Sequence, residues 1–171
     1  NVDALLKQMI TVSSNEAANG LLSRIGNGDG KAAIATVTAT AQRYGFTSSE
    51  ELRTLTGMAS GNAVENWTST RDCGSFLSQV YAGTLVSKNA SERMMQLLLG
   101  QTRRTKIPAG VPSGVKVANK TGELAAVQND VAIVFGTHPY VLAVMSSDIS
   151  SAVAPTSQIT ELSRAVWDAA Q

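Results

Sequence analysis

A chain of 171 residues with 43% hydrophobic and 16% charged side chains is long enough for one domain with a sizeable core, and its composition is that of a globular protein. A formal net charge of +1 offers no basic surface for nucleic acid or an anionic membrane. No apolar run approaches the roughly 18–20 residues that would span a bilayer, and the single cysteine, Cys73, excludes an internal disulfide.

The chain opens in a helical pattern, without an initiating Met or a leader-like profile, as expected at a processing boundary. Leu5, Leu6, Met9 and Ile10 repeat at helical spacing and read as the end of a helix. A second helix is expected from about Asn15, with Ala18, Leu21, Leu22 and Ile25 on one stripe. The run Gly26-Asn27-Gly28-Asp29-Gly30 stops it. No strand precedes this glycine cluster and no Gly-Lys-Ser/Thr follows, so it reads as a turn rather than a phosphate cradle. A third helix runs over about Lys31–Tyr44. Phe46–Trp67 shows no sustained period and predicts a long irregular excursion with short helical pieces, a length of loop that is often functional.

A fourth helix is predicted over about Thr70–Leu85, its apolar face built from Cys73, Phe76, Leu77, Val80 and Tyr81. At that register Cys73 reads as a small buried hydrophobe. A fifth begins at Asn89 or Ser91 and ends at Leu99 before Gly100. After the turn Pro108–Gly114 the period changes to two, and Val115–Thr121, Val131–Phe135 and Tyr140–Ser146 read as three successive strands. His138 lies in the second connection with no acidic partner nearby and reads as a turn residue. A closing helix, about Ser157–Ala170, packs Ile159, Leu162, Val166 and Trp167 inward. Helices over residues 1–107, then an antiparallel meander and a last helix over 108–171, give an α+β fold in one domain.

Two triplets carry the functional signal. Ser13-Ser14-Asn15 stands at a helix start, where Ser13 with Glu16 also reads as a capping box. Lys120-Thr121-Gly122 ends a strand, where a lone lysine would ordinarily face solvent. In this order, each in its expected local structure, they resemble the Ser-x-Asn and Lys-Thr-Gly signatures of the serine β-lactamase and penicillin-binding protein superfamily. Met9–Leu22, Asn66–Asp72, Lys106–Pro112 and Asn129–Val134 are similar to that family as well. The likeness runs over the whole chain, is weakest over Phe46–Glu65, and is nearest to the class A β-lactamases.

The resemblance implies a β-lactamase/transpeptidase-like α+β fold. It implies a two-step acyl transfer by a serine hydrolase acting on β-lactams, without metal or organic cofactor, in an extracytoplasmic location. It also implies that the Ser-x-x-Lys segment bearing the nucleophile lies upstream of Ser13, outside this chain. Ser13 would relay a proton to the departing nitrogen, and Lys120 would hold a fixed positive charge beside it and attract the substrate carboxylate. Asn15 would meet the substrate's side-chain amide, and Thr121 its carboxylate. Gly122 would let substrate approach the strand, and the Glu123 amide would be one of two oxyanion donors.

Two departures stand out. Ser14 replaces the usual Asp, and Phe46–Glu65 lacks the Glu-x-x-Leu-Asn context of a deacylating carboxylate. Glu50, Glu51 and Glu65 are the candidates there, against a plainer reading as solvated loop carboxylates. If none reaches the site, the acyl-enzyme is released slowly, as in a D,D-peptidase or penicillin-binding protein acting on D-Ala-D-Ala peptides. The Ser-x-x-Lys present in the chain, Ser113-Gly114-Val115-Lys116, enters a strand rather than opening a helix and is a decoy. A non-enzymatic reading, an inactive fragment or pseudoenzyme, stays open. An unpaired strand edge and uncovered apolar helix faces predict pairing with the protein's own N-terminal portion, or self-association.

Overall fold

The computed structural model describes residues 1–55, 65–151 and 153–171. The first five helices each begin where a side chain can satisfy the first amides. Helix α1 (Val2–Thr11) is capped by the Asn1 side chain, α2 (Asn15–Ile25) by Ser14, and α3 (Gly30–Arg43) by Asp29, which accepts from the amides of Lys31 and Ala32. The glycine-rich run is therefore the stop of α2 and the cap of α3. Helix α4 (Thr70–Ala82) is capped by Ser69 and ends three residues before the expected Leu85. Its stop is Gly83, held at φ 73°, a conformation in which glycine carries little penalty. Helix α5 (Lys88–Leu99) is capped by Ser87, not by Asn89 or Ser91. Ser91 is buried one turn further in, donating its hydroxyl to the Leu85 carbonyl at 2.9 Å.

A 3-10 turn over Ile107–Gly110 leads into the sheet: β1 (Lys116–Leu124), β2 (Val127–Phe135) and β3 (Tyr140–Val144), antiparallel and in the order β1-β2-β3. The closing helix α6 spans Val153–Ala170, with Pro155 in its first turn. The fold is α+β, as the helical and strand periods predict. The strand ends differ from that reading. β1 continues past Thr121 to Leu124 and β2 begins at Val127 rather than Val131, whereas β3 stops at Val144. The extra residues include Glu123, Gln128, Asn129 and Asp130, which break the hydropathy pattern, and hydrogen bonds from outside the ladder hold the start of β2 in place. The Ser146 hydroxyl donates to the Gln128 carbonyl at 2.6 Å, the Ser146 amide donates to Asn129 Oδ1, and the Asp130 carboxylate accepts from buried donors. Hydropathy breaks there; the ladder does not.

Alternation splits the sheet between two cores. Ala118 and Ile133 face a cluster with Phe46, Leu77, Val80, Leu85 and Leu98 under α4 and α5. Val117, Ala132 and Val134 face Ile107 and Ile159 under α6. In the stretch Phe46–Trp67 no helix occurs among the described residues, and Glu50 and Trp67 form an isolated antiparallel bridge. Buried Asp72 ties this stretch to α4, its Oδ2 accepting from the Ser48 amide and the Ser49 hydroxyl, each at 2.8 Å. The short helical pieces expected over Phe46–Trp67 do not occur in its described residues, and residues 56–64 lie outside them. No described helix is long and apolar enough to cross a membrane.

Candidate active site

The tight corner between α1 and α2 is where the site begins. Ser14, not Ser13, caps α2, its hydroxyl accepting from the Ala17 amide at 3.1 Å. The capping-box reading of Ser13 therefore fails, and the hydroxyl of Ser13 is left for another partner. Ser13 itself sits at φ 60°, a left-handed conformation that costs a non-glycine residue about 1–3 kcal/mol and is held only by its surroundings. That partner is Lys120, which comes from β1: its Nζ donates to Ser13 Oγ at 2.9 Å and also to the Thr121 carbonyl.

Burial pushes the Lys120 ammonium below the usual lysine range, and the nearby Arg103 guanidinium pushes the same way; Asp130 and Glu123 pull it back. Lys120 shares its face of β1 with Ala118, toward the helices. Thr121 and Asn119 alternate to the opposite face and are buried. Toward Lys120, Thr121 thus offers its carbonyl. A Cβ at Gly122 would meet only ordinary contact, 3.5 Å from Asn129, so packing within the chain does not demand glycine there. Asn15 is exposed at the first position of α2.

Two of the three loop carboxylates are engaged elsewhere, and the third, Glu50, joins a bridge through its backbone alone. Glu65 pairs with Arg53 at 2.7 Å, Glu51 accepts from Asn66 Nδ2 at 3.2 Å, and Glu50 lies in the bridge to Trp67. Burial raises the Glu51 carboxyl above its ordinary range. The structure does not bring these three to Ser13 and Lys120. Ser113 lies in a turn and Lys116 is exposed at the start of β1, as the decoy reading requires.

Sequence reading missed the segment that joins the two halves of the site. Gln101-Thr102-Arg103-Arg104-Thr105-Lys106 looks like a solvated linker, yet Gln101 and Lys106 are buried. Gln101 Nε2 donates to the Ile10 carbonyl at 2.7 Å, and the Thr102 hydroxyl donates to the Thr11 carbonyl at 2.9 Å. Asn119 Nδ2 donates to the Arg103 carbonyl and to Asp130 Oδ1. The α1–α2 corner and β1 are thereby clamped by one segment. The only sequence signal was the Lys106-Ile107-Pro108-Ala109-Gly110 approach to the strand.

Beside this pair runs a mainly apolar groove of about 520 Å³, lined by residues that include Ile10, Phe46, Phe76, Leu77 and Leu98, with Lys120 and Asp72 as its charged residues. Cys73 also lines it, and burial raises its thiol above the ordinary range.

The model of the beta-lactamase enzyme family matches residues 1–170. This chain belongs to the beta-lactamase enzyme family. Among solved structures it is similar to a β-lactamase from Sphaerobacter thermophilus DSM 20745, at 25% identity and a TM-score of 0.87, over 98% of this chain and 62% of that one. It is likewise similar to PBP-A, at 26% identity and a TM-score of 0.85, over 97% of this chain and 60% of that one. A PBP-A variant solved as an acyl-enzyme complex with penicillin G matches at 25% identity and a TM-score of 0.85, over the same shares. The family member described here therefore spans less than two thirds of the length of these relatives. Comparison with curated proteins gives no match.

Proposed function

We propose that this chain supplies the proton-relay and substrate-carboxylate half of a serine acyl-transfer site for β-lactams, in a protein that works outside the cytoplasm. The single observation that carries the reading is the 2.9 Å hydrogen bond from Lys120 Nζ to Ser13 Oγ. A hydroxyl that accepts from an ammonium can hand its own proton to a departing nitrogen, while the charge stays in place for a carboxylate. Asn15 is assigned the substrate's side-chain amide. Gly122 keeps the outer edge of β1 open, and the Glu123 amide is assigned to the oxyanion.

The attacking serine is assigned to the N-terminal portion of the protein. An apolar groove of this size next to Lys120 fits the side of an amphipathic helix, and the relatives are longer than this chain by more than a third of their length. Seated there, that helix brings the nucleophile to Ser13 and Lys120. The test is covalent labelling of the full-length protein by penicillin G, followed by intact-protein mass spectrometry. A stable or transient acyl adduct is expected; no adduct at any time, with the protein folded, refutes the reading.

A second reading, slow release as in a D,D-peptidase or penicillin-binding protein, is favoured by where the carboxylates lie. Glu51 and Glu65 have other partners, and residues 52–64 contain no Asp or Glu. Rapid loss of the adduct with release of penicilloate identifies the hydrolase; an adduct that persists identifies the slow-releasing form.

A further inference from the structure

Arg103, Lys106 and Glu123 form an ion cluster just beyond Lys120 on β1, and Lys120 feels the charges of all three together with that of buried Asp130. Glu123 stands three residues beyond Lys120, and its two oxygens are held by different partners. Oε1 lies 3.1 Å from Lys106 Nζ, and Oε2 accepts from Arg103 Nη1 at 2.8 Å. The two partners differ in kind. The Lys106 side chain is 1% exposed and is anchored by donating to the Asn129 carbonyl at 3.0 Å. The Arg103 side chain is 48% exposed, and among charged groups it is Arg103 that most strongly opposes the charge on Lys120. A buried lysine fixes one end of the carboxylate; the other end pairs with a half-exposed guanidinium whose charge is felt at Lys120.

We propose that Glu123 sets the substrate preference of this site by acting as an internal carboxylate that occupies Arg103 in competition with the carboxylate of a substrate. The inference rests on the acyl-transfer reading above. Arginine presents a planar fork of donors suited to a carboxylate, and any that Glu123 holds are withheld from an incoming anion. Glu123 also places its own negative charge beside Lys120, which weakens the attraction of the site for anions. The surface character of the Arg103 pair keeps the effect modest. Substrates whose carboxylate is absent or masked lose nothing to this competition, so the internal pair narrows the advantage of carboxylate-bearing β-lactams.

The test uses the full-length protein and compares second-order acylation rates for penicillin G and for its methyl ester. In Glu123→Gln the amide Oε1 still accepts from Lys106, but no negative charge is left facing the Arg103 guanidinium. The ratio of acid to ester rates is expected to rise about fivefold, the size of a half-exposed ion pair. In the double variant Glu123→Gln/Arg103→Ala it should return to the wild-type ratio or below. Because the ratio is taken within one variant, a change in folded fraction cancels. A flat or falling ratio in Glu123→Gln overturns the proposal. So does a raised ratio that survives loss of Arg103, since charge removal alone would then explain it. If the wild-type protein is labelled by neither compound, the acyl-transfer reading itself falls, and this inference with it.

Discussion

Lys120 Nζ and Ser13 Oγ are 107 residues apart in sequence and 2.9 Å apart in space, joined across the seam between a helix corner and a strand. The helix cap falls to Ser14 and not to Ser13, and Lys120 stands at the edge of an apolar groove where a charge contributes nothing to packing. A half-buried ammonium is costly unless something requires it.

Lys120→Ala in the full-length protein is expected to lower the acylation rate by penicillin G about a hundredfold or more, the scale of losing one preorganised electrostatic donor. Thermal unfolding should show the fold retained. Undiminished labelling would remove Lys120 from the site.

Ser13 combines a reactive hydroxyl with a left-handed backbone, and two substitutions separate them. Ser13→Ala and Ser13→Gly should both impair acylation. Glycine adopts φ 60° without a Cβ penalty, so Ser13→Gly should be the more stable of the two by about 1 kcal/mol in urea unfolding. Equal stabilities would mean that the corner carries no strain.

The depressed Lys120 also predicts a pH dependence. Between its folded value and 10.5 the unfolded chain binds the proton and the native chain does not, so native stability rises with pH through that window. Lys120→Met, which has no proton to lose, should lack this rise. The difference in unfolding free energy between wild type and variant, followed from pH 7 to 10.5, therefore shifts toward wild type. A difference independent of pH would contradict the burial of this ammonium.

Gly110 lets the 3-10 turn lie directly against α6. An added Cβ would lie 2.4 Å from the Thr160 carbonyl oxygen and 2.5 Å from Ser163 Cβ, and Ser163 itself donates to the Ile107 carbonyl at 2.9 Å. Gly110→Ala should cost about 1–3 kcal/mol through forced separation of the 3-10 turn from α6. A melting temperature within one degree of wild type would show that the two can part freely.

Much of this fold was legible because local rules and tertiary packing agree. Ser, Asn and Asp caps mark the helix starts, the 3.6-residue period marks the helices, and the change to alternation after Gly114 marks the sheet. Where reading by hydropathy failed, a polar side chain had found a buried partner. Asp130, fully buried, accepts from the Ile107 amide and from Asn119, and so extends β2 through residues that look like a loop. Nothing in the one-dimensional pattern distinguishes such an aspartate from a solvated one.

The sequence by itself determined the chemistry available: a hydroxyl at a helix corner, a lysine in a strand ahead of a glycine, and a long loop with no Asp or Glu from residue 52 to 64. Only the tertiary structure decided that Ser14 would take the capping role and free Ser13, that Lys120 would face the groove while Thr121 faced the other core, and that Glu123 would be pinned between Lys106 and Arg103. Identity is local, but the direction of a side chain depends on strand alternation and on which neighbours a distant segment brings, and those are settled only when the chain closes on itself.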